Sequence, residues 1–269
     1  MADTAQATQT EDILLREDRD GVAWLTLNRP DAFNSLSRPL MARIQEELDR
    51  LADDASVRVI VIAAAGRGFC AGHDLREVRG NQDNPEFLAA MLKQCSTMMQ
   101  SIVNHPKPVI ARVHGIATAA GCQLVASCDL AIAETGARFG TPGVNIGLFC
   151  HTPMVALSRN VSRKHAMEML LTGEMADAED AIRFGLINKA VPVAELDDTV
   201  MAMARRIASK SSYTLKIGKR AFYEQLQQPT LNEAYEYASR VMLENLQARD
   251  AVEGIQAFID KRDPVWEDR

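Results

Sequence analysis

Along the first 190 positions apolar residues recur with two alternating periods, and each period predicts an element. Val22 to Leu27 (VAWLTL) and Val57 to Ala63 (VRVIVIA) are β-rich runs of strand length, with shorter ones at Pro108 to Val113 and Asp129 to Ala133. Between them the spacing turns helical. Leu40, Ile44, Leu48 and Leu51 share one face behind a Ser37 N-cap, and Leu88, Leu92, Cys95, Met99 and Ile102 share another before the stop at His105-Pro106. Asp177 with Asp180 resembles a capping box, and Gly185 closes that short helix. Alternating strands and helices predict an α/β core with at least partly parallel pairing. Past Val191-Pro192 the pattern predicts only helices. There Leu231, Ala234, Tyr235, Ala238, Val241, Met242 and Leu246 form an apolar stripe too large for a lone helix to leave in water. Two readings stay open for it, packing on its own core or a subunit interface.

Length and charge narrow the class. A chain of 269 residues supports one large domain, or one domain with a helical appendage, and divides here into a disordered N-terminus (1–12), an α/β core (13–192) and a helical region (193–269). The 5 cysteines (Cys70, Cys95, Cys122, Cys128, Cys150) are odd in number and show no zinc spacing, which predicts buried thiols and no metal site. A formal charge of −6 gives no global reason to bind nucleic acid. The N-terminal residues show neither a secretory nor a transit pattern, and no run approaches the roughly 18 apolar residues of a membrane span, so a cytoplasmic protein without membrane association is expected.

Candidate chemistry sits in two turns crowded with small residues. Val113 to Asp129 (VHGIATAAGCQLVASCD) leads into an apolar helix. Thr118, Ala119, Ala120 and Gly121 leave backbone N–H groups open to a ligand oxygen at that helix start, where partial positive charge favours a developing anion. Phe69 to Leu75 (FCAGHDL) is the second such turn, and two turns can supply two donors to one oxygen. Gly66 to Ala71 also matches GxGxxA after a strand. That dinucleotide fingerprint requires an amphipathic helix to begin inside the glycines, whereas the following GHDLREVRGNQDNPEF is polar and broken by Gly80 and Pro85. No nicotinamide or flavin cofactor is therefore expected. GK[ST] and GxSxG are both absent, which excludes a Walker A loop and a serine-hydrolase elbow.

With these turns placed, the chain resembles the enoyl-CoA hydratase/isomerase (crotonase) superfamily. The likeness rests on LNRPDAFNSLS (Leu27 to Ser37), GRGFCAGHDL (Gly66 to Leu75), VHGIATAAGCQLVASCDLAIA (Val113 to Ala133), FGTPGVNIGLF (Phe139 to Phe149) and KRDPVW (Lys261 to Trp266). Within it, ATAAGCQLVASCD and TPGVN most resemble the branch of the enoyl-CoA hydratase domain-containing protein 3. The resemblance implies a spiral of ββα units and a C-terminal helical region that builds trimers, often paired as hexamers. It implies an acyl-CoA substrate, with coenzyme A as part of that substrate and no prosthetic group. It implies that the amides of His73 and Ala120 form an oxyanion hole. Such a hole suits a thioester, because α-proton removal or β-addition drives charge onto the carbonyl oxygen, and each preset donor contributes on the order of 3 kcal/mol. For the CoA moiety it implies backbone contacts around Ala32, Phe33, Ala71, Gly72, Asp74 and Leu75, with Arg76 and Lys261 near the phosphates.

Two departures follow. The hydratases of the superfamily position and deprotonate water with two glutamates, and Gln123 and Gly143 stand in their places. An amide exchanges no proton near neutral pH and glycine has no side chain, so that two-carboxylate route is closed. Cys150 beside His151 offers a thiolate for thioester hydrolysis; the plainer reading makes them a core thiol and a turn residue. Asp129 reads as a backbone cap, His73 as acting through its backbone, and His105, His114 and His165 as structural. The expectation is an enzyme of enolate or thioester chemistry on acyl-CoA; the alternatives are a catalytically weak or inactive acyl-CoA-binding protein and an acyl-CoA thioesterase. A peptidase ranks last, since no nucleophilic serine with a matched histidine is recognisable. Phe87, Leu88, Met91, Phe149 and Met154 are candidates for the acyl-chain pocket.

Overall fold

A computed structural model describes residues 12–269, so the expectation of a disordered N-terminus falls, over residues 1–11, outside the described residues. Six strands, β1 (Leu14–Arg19), β2 (Val22–Leu27), β3 (Val59–Ala64), β4 (Val109–Val113), β6 (Leu130–Glu134) and β9 (Lys189–Val191), form one sheet in the order β1-β2-β3-β4-β6-β9. Only β1 and β2 pair antiparallel; the other pairs run parallel. A smaller sheet holds β5 (Ile116–Thr118), β7 (Arg138–Gly140) and β8 (Ala176–Asp177). Two isolated bridges, Leu36 with His73 and Cys70 with Ala117, extend this second ladder toward the early part of the chain. Strand, short strand and helix thus follow one another in a spiral of ββα units, as the sequence resemblance implies.

Helices close the two layers. The core helices are α1 (Arg38–Asp53), α2 (Leu75–Gly80), α3 (Pro85–Val103), α4 (Ala120–Ser127), α5 (Pro153–Asn160), α6 (Arg163–Thr172) and α7 (Ala178–Phe184). The helical region adds α8 (Leu196–Ala208), α9 (Ser212–Gln225), α10 (Leu231–Gln247) and α11 (Arg249–Asp260). Ser37 caps α1 as expected, its hydroxyl accepting from the Leu40 amide at 3.4 Å, and Leu40, Ile44, Leu48 and Leu51 are all buried. Asp177 accepts from the Asp180 amide at 2.9 Å, and Gly185 ends α7 in the left-handed region.

The strands differ from their sequence pattern in an informative way. Val59, Val61 and Ala63 of β3 join Trp24 and Ile110 against Leu196, Val200 and Ala204 of α8, while Ile60 and Ile62 face the main core. Burial on both faces explains the unbroken apolar run in β3. In α3 the buried face is Met91, Cys95, Met98, Met99 and Ile102, so Leu92, expected there, is turned out at 41% exposure. Along α10 no residue is buried; Leu231 and Tyr235 lie open, and so do Ile255 and Phe258 of α11. Within a single chain the stripe packs in part on α9, with Ala234 and Val241 half-buried, and leaves Leu231, Tyr235, Met242 and Leu246 open. Among the described residues no helix is long and apolar enough to cross a membrane, and no group of three metal-ligating side chains is assembled.

Candidate active site

The two small-residue turns follow the C-terminal ends of β3 and β4, the edge of a parallel sheet where ligands of α/β proteins bind. They are stitched together. The Cys70 amide donates to the Ile116 carbonyl at 3.0 Å, and the Thr118 amide donates to the Cys70 carbonyl at 2.9 Å. At Gly121 the helix start comes so close that an added Cβ would overlap the Cys70 carbonyl. At Gly72, whose φ is +93°, an added Cβ would lie 3.0 Å from the Ala119 Cβ and 3.2 Å from the Ala120 nitrogen. The turn carrying His73 is thus in contact with the turn carrying Ala120.

Ala119 is strained for an L residue, at φ 49° and ψ −118°, a conformation that costs on the order of 1–3 kcal/mol. Its own amide is held by the Gly140 carbonyl at 2.9 Å. The strain ends the turn with Ala120 as the first residue of α4. Among the described residues neither the His73 amide nor the Ala120 amide donates to a backbone carbonyl, while their neighbours Asp74 and Ala119 both do.

Polar side chains here are also left without partners. Both ring nitrogens of His73, Oε1 of Gln123 and Oγ1 of Thr141 are buried and make no hydrogen bond in the described structure. Thr141 follows Gly140, the residue that anchors Ala119, and sequence reasoning missed it; no motif marks a lone threonine. Burial holds the His73 imidazole below its ordinary value, so it is neutral at pH 7. The remaining buried unpaired atom, Nε of Arg58, lies elsewhere.

At Gly143 a glutamate has no space. An added Cβ would lie 2.5 Å from the Leu148 carbonyl oxygen and 2.9 Å from the Cys150 sulfur, so that thiol fills the volume where a side chain at 143 would start. Burial pushes the Cys150 thiol up, against a smaller opposing pull from the Gly143 amide. His151 is exposed, its ring lies 5.1 Å from that of Phe149, and no hydrogen bond joins it to Cys150. The dyad of a thiolate nucleophile is not assembled here.

Other candidate positions separate into two groups. The Ala71 amide donates to the Phe33 carbonyl at 3.0 Å and the Leu36 amide to the Gly72 carbonyl at 2.7 Å, so Ala32, Phe33, Ala71, Gly72, Asp74, Leu75 and Arg76 lie together along one rim. Burial works to raise the Asp74 carboxyl, yet the Arg29 guanidinium at 2.8 Å and the Arg76 amide hold it below its usual value. Its charge is spent on orienting α2. Leu75 and Arg76 are exposed. Lys261 ends α11, which packs on α9 and α10. Of the candidate pocket residues, Met91 is in the main core, and Phe87, Leu88, Phe149 and Met154 pack against it.

The remaining histidines serve the scaffold. His114 bridges the Arg112 side chain and the Gly66 carbonyl, and His165 stacks on Phe184 at 4.0 Å. A separate cavity of about 200 Å³ lies at the opposite end of the strands, beside Arg58, Pro106 and Ser212, and touches none of these site residues.

Known proteins match this chain over nearly its full length. The sequence family described as enoyl-CoA hydratase/isomerase matches residues 17–269. The human mitochondrial enoyl-CoA hydratase domain-containing protein 3 is 48% identical over 247 residues, covering 92% of this chain and 81% of the relative. A crystal structure of that human protein superposes with a TM-score of 0.91 at 47% identity, covering 95% of this chain and 100% of the other. The crystal structure of an enoyl-CoA hydratase from Mycobacterium smegmatis gives a TM-score of 0.92 at 49% identity, covering 95% of this chain and 99% of the other.

Proposed function

The chain belongs to the enoyl-CoA hydratase/isomerase family, and from that premise we propose that it holds an acyl-CoA thioester with the carbonyl oxygen on the amides of His73 and Ala120, which stabilise an enolate. One observation carries this reading: two unengaged amides stand on turns in direct contact at Gly72. Removing one donor of this kind costs about 100- to 1,000-fold in rate. The rim from Ala32 to Arg76 would receive the CoA moiety, backbone first and Arg76 toward the phosphates. The reaction is enolate chemistry other than hydration by paired carboxylates, since Gln123 carries no exchangeable acid and Gly143 has no room for one. Those same replacements favour a second reading, an acyl-CoA-binding protein of little or no turnover.

A panel of acyl-CoA thioesters, followed for hydration, isomerisation, decarboxylation and thiol release, separates the two. Product formation by the native chain, lost in Gly121→Val, is the expected result, because that side chain forces the turns apart. Binding without any product would leave the second reading standing. Rapid hydration of crotonyl-CoA that survives Gln123→Ala would overturn the account of the replaced positions. Assembly as a homotrimer or a dimer of trimers is proposed for the open faces of α10 and α11, and light scattering of the eluting protein reads it directly.

A further inference from the structure

We propose that the imidazole of His73, beside its own amide in the hole, is the proton-transfer group of this site, taking the acyl α-proton that no carboxylate is present to take. The inference rests on the acyl-CoA reading above.

Three observations converge on it. Both ring nitrogens are buried without a partner, and a buried polar group in that state calls for an explanation. The nearest protein acceptor is the Leu36 carbonyl, which takes the Asp74 amide at 3.2 Å and also pulls the ring's value up, so it engages at most one ring nitrogen and leaves the other free. That free nitrogen is the one proposed to meet the acyl α-proton, which forms no hydrogen bond in the ground state. Second, the ring is neutral at pH 7 because burial lowers it, so a lone pair is free to accept a proton. Third, one residue carries both groups, since the amide proposed to hold the acyl oxygen and the unpartnered ring both belong to His73.

The step balances without a further reactant. The ring nitrogen forms an N–H bond as the α-C–H bond breaks, and the electron pair moves into the bond between the α-carbon and the carbonyl carbon. The oxygen becomes the enolate held by His73 and Ala120, and return of the proton to the α-carbon, or in a β,γ-unsaturated chain to the γ-carbon as the double bond moves to the α,β position, regenerates the neutral ring. A general base of this kind is worth about 100- to 10,000-fold.

The experiment follows exchange of the α-protons of butyryl-CoA in deuterated water by mass spectrometry, beside calorimetric binding of the same compound. Native protein is expected to exchange them. His73→Ala and His73→Gln keep the backbone amide, and both should lose at least about 100-fold in exchange while binding butyryl-CoA within a few-fold of native. In the native protein the rate should rise with pH along a single limb centred below 6.5 and then level off, and the variants should lack that limb. Undiminished exchange in both variants, or a native protein that binds butyryl-CoA and exchanges nothing, overturns the role of His73 and leaves the acyl-CoA reading intact. Failure to bind at all overturns both.

Discussion

Two buried polar clusters in this molecule are built on opposite terms. At the inner end of α9, Asp129 accepts from the Val109 amide and Lys219 Nζ, each at 2.7 Å, and from the Tyr223 hydroxyl at 2.9 Å. Lys219 also donates to the carbonyls of Ile102 at 3.0 Å and Lys107 at 3.1 Å, and the Lys107 amide donates in turn to His105 Nδ1 at 3.1 Å. Every member has protein partners. At the junction of the two turns, by contrast, His73, Gln123 and Thr141 have none, and two amides stand open. A satisfied network fixes a helix to its sheet; an unsatisfied one at the C-terminal edge of that sheet is where the proposed thioester would supply the missing partners.

The sharpest way to break this contrast is to cut the satisfied cluster. Lys219→Met removes the cation from a carboxylate that is itself only 16% exposed, leaving a buried charge uncompensated. Loss of about 3–5 kcal/mol of stability is expected in urea unfolding. Asp129→Asn combined with Lys219→Met should recover part of it, because the second change removes the stranded charge. Butyryl-CoA affinity of the folded Lys219→Met protein should not change. A stability loss below about 1 kcal/mol would mean that α9 is held by something other than this pair.

Acid offers a second, slightly smaller perturbation. The Leu48 carbonyl can only accept and the Lys107 amide can only donate, so His105 is neutral with its proton on Nε2. Burial, with a contribution from nearby cations, holds this ring at about 4 against an ordinary 6.5. A depressed value in the folded state means stability fully present above 6.5 and lost as pH falls through about 4. The loss amounts to about 3 kcal/mol in all. His105→Gln, which can both donate and accept, should flatten that limb of a melting-temperature profile. The two histidines should part when ligand is added: butyryl-CoA shifts the NMR titration of His73 and leaves that of His105 where it was. Equal shifts would dissolve the distinction between the clusters.

How much of this was legible beforehand follows from burial. β2 and β3 were visible because they are apolar on both faces, whereas β1 (LLREDR) buries only Leu14 and looks like solvent-exposed chain. β5, β7 and β8 are three residues or fewer, too short to show a period. Leu92 was misplaced because α3 runs from Pro85 and its buried face is set by Met91 and Met98 rather than by the leucines. At the site the small residues announced that a backbone comes close, and the family resemblance named the two amides on which the proposed reading rests. That Gly121 meets Cys70, that Cys150 fills the space at Gly143, and that His73 lacks a partner are facts of tertiary packing, which no spacing in the chain encodes.

The smallest expected effect on stability is the most specific to the junction. Removing one partner from a hydrogen-bonded buried pair is costly, but removing a buried group that has no partner relieves a desolvation penalty of about 1–3 kcal/mol. Thr141→Val keeps the shape of the side chain and deletes only the unpaired hydroxyl; Gln123→Met does the same for the amide at similar volume. Both proteins should therefore be as stable as the native chain or gain about 1 kcal/mol, the reverse of most changes to buried residues. If a ligand supplies the missing partners, each variant should also bind butyryl-CoA about tenfold more weakly, the worth of one hydrogen bond. Stability and affinity then move in opposite directions at this junction, whereas at the α9 anchor stability falls and affinity stays. A Thr141→Val protein that loses 1 kcal/mol or more in urea unfolding would show that its hydroxyl is satisfied from within, and would take that residue out of the site.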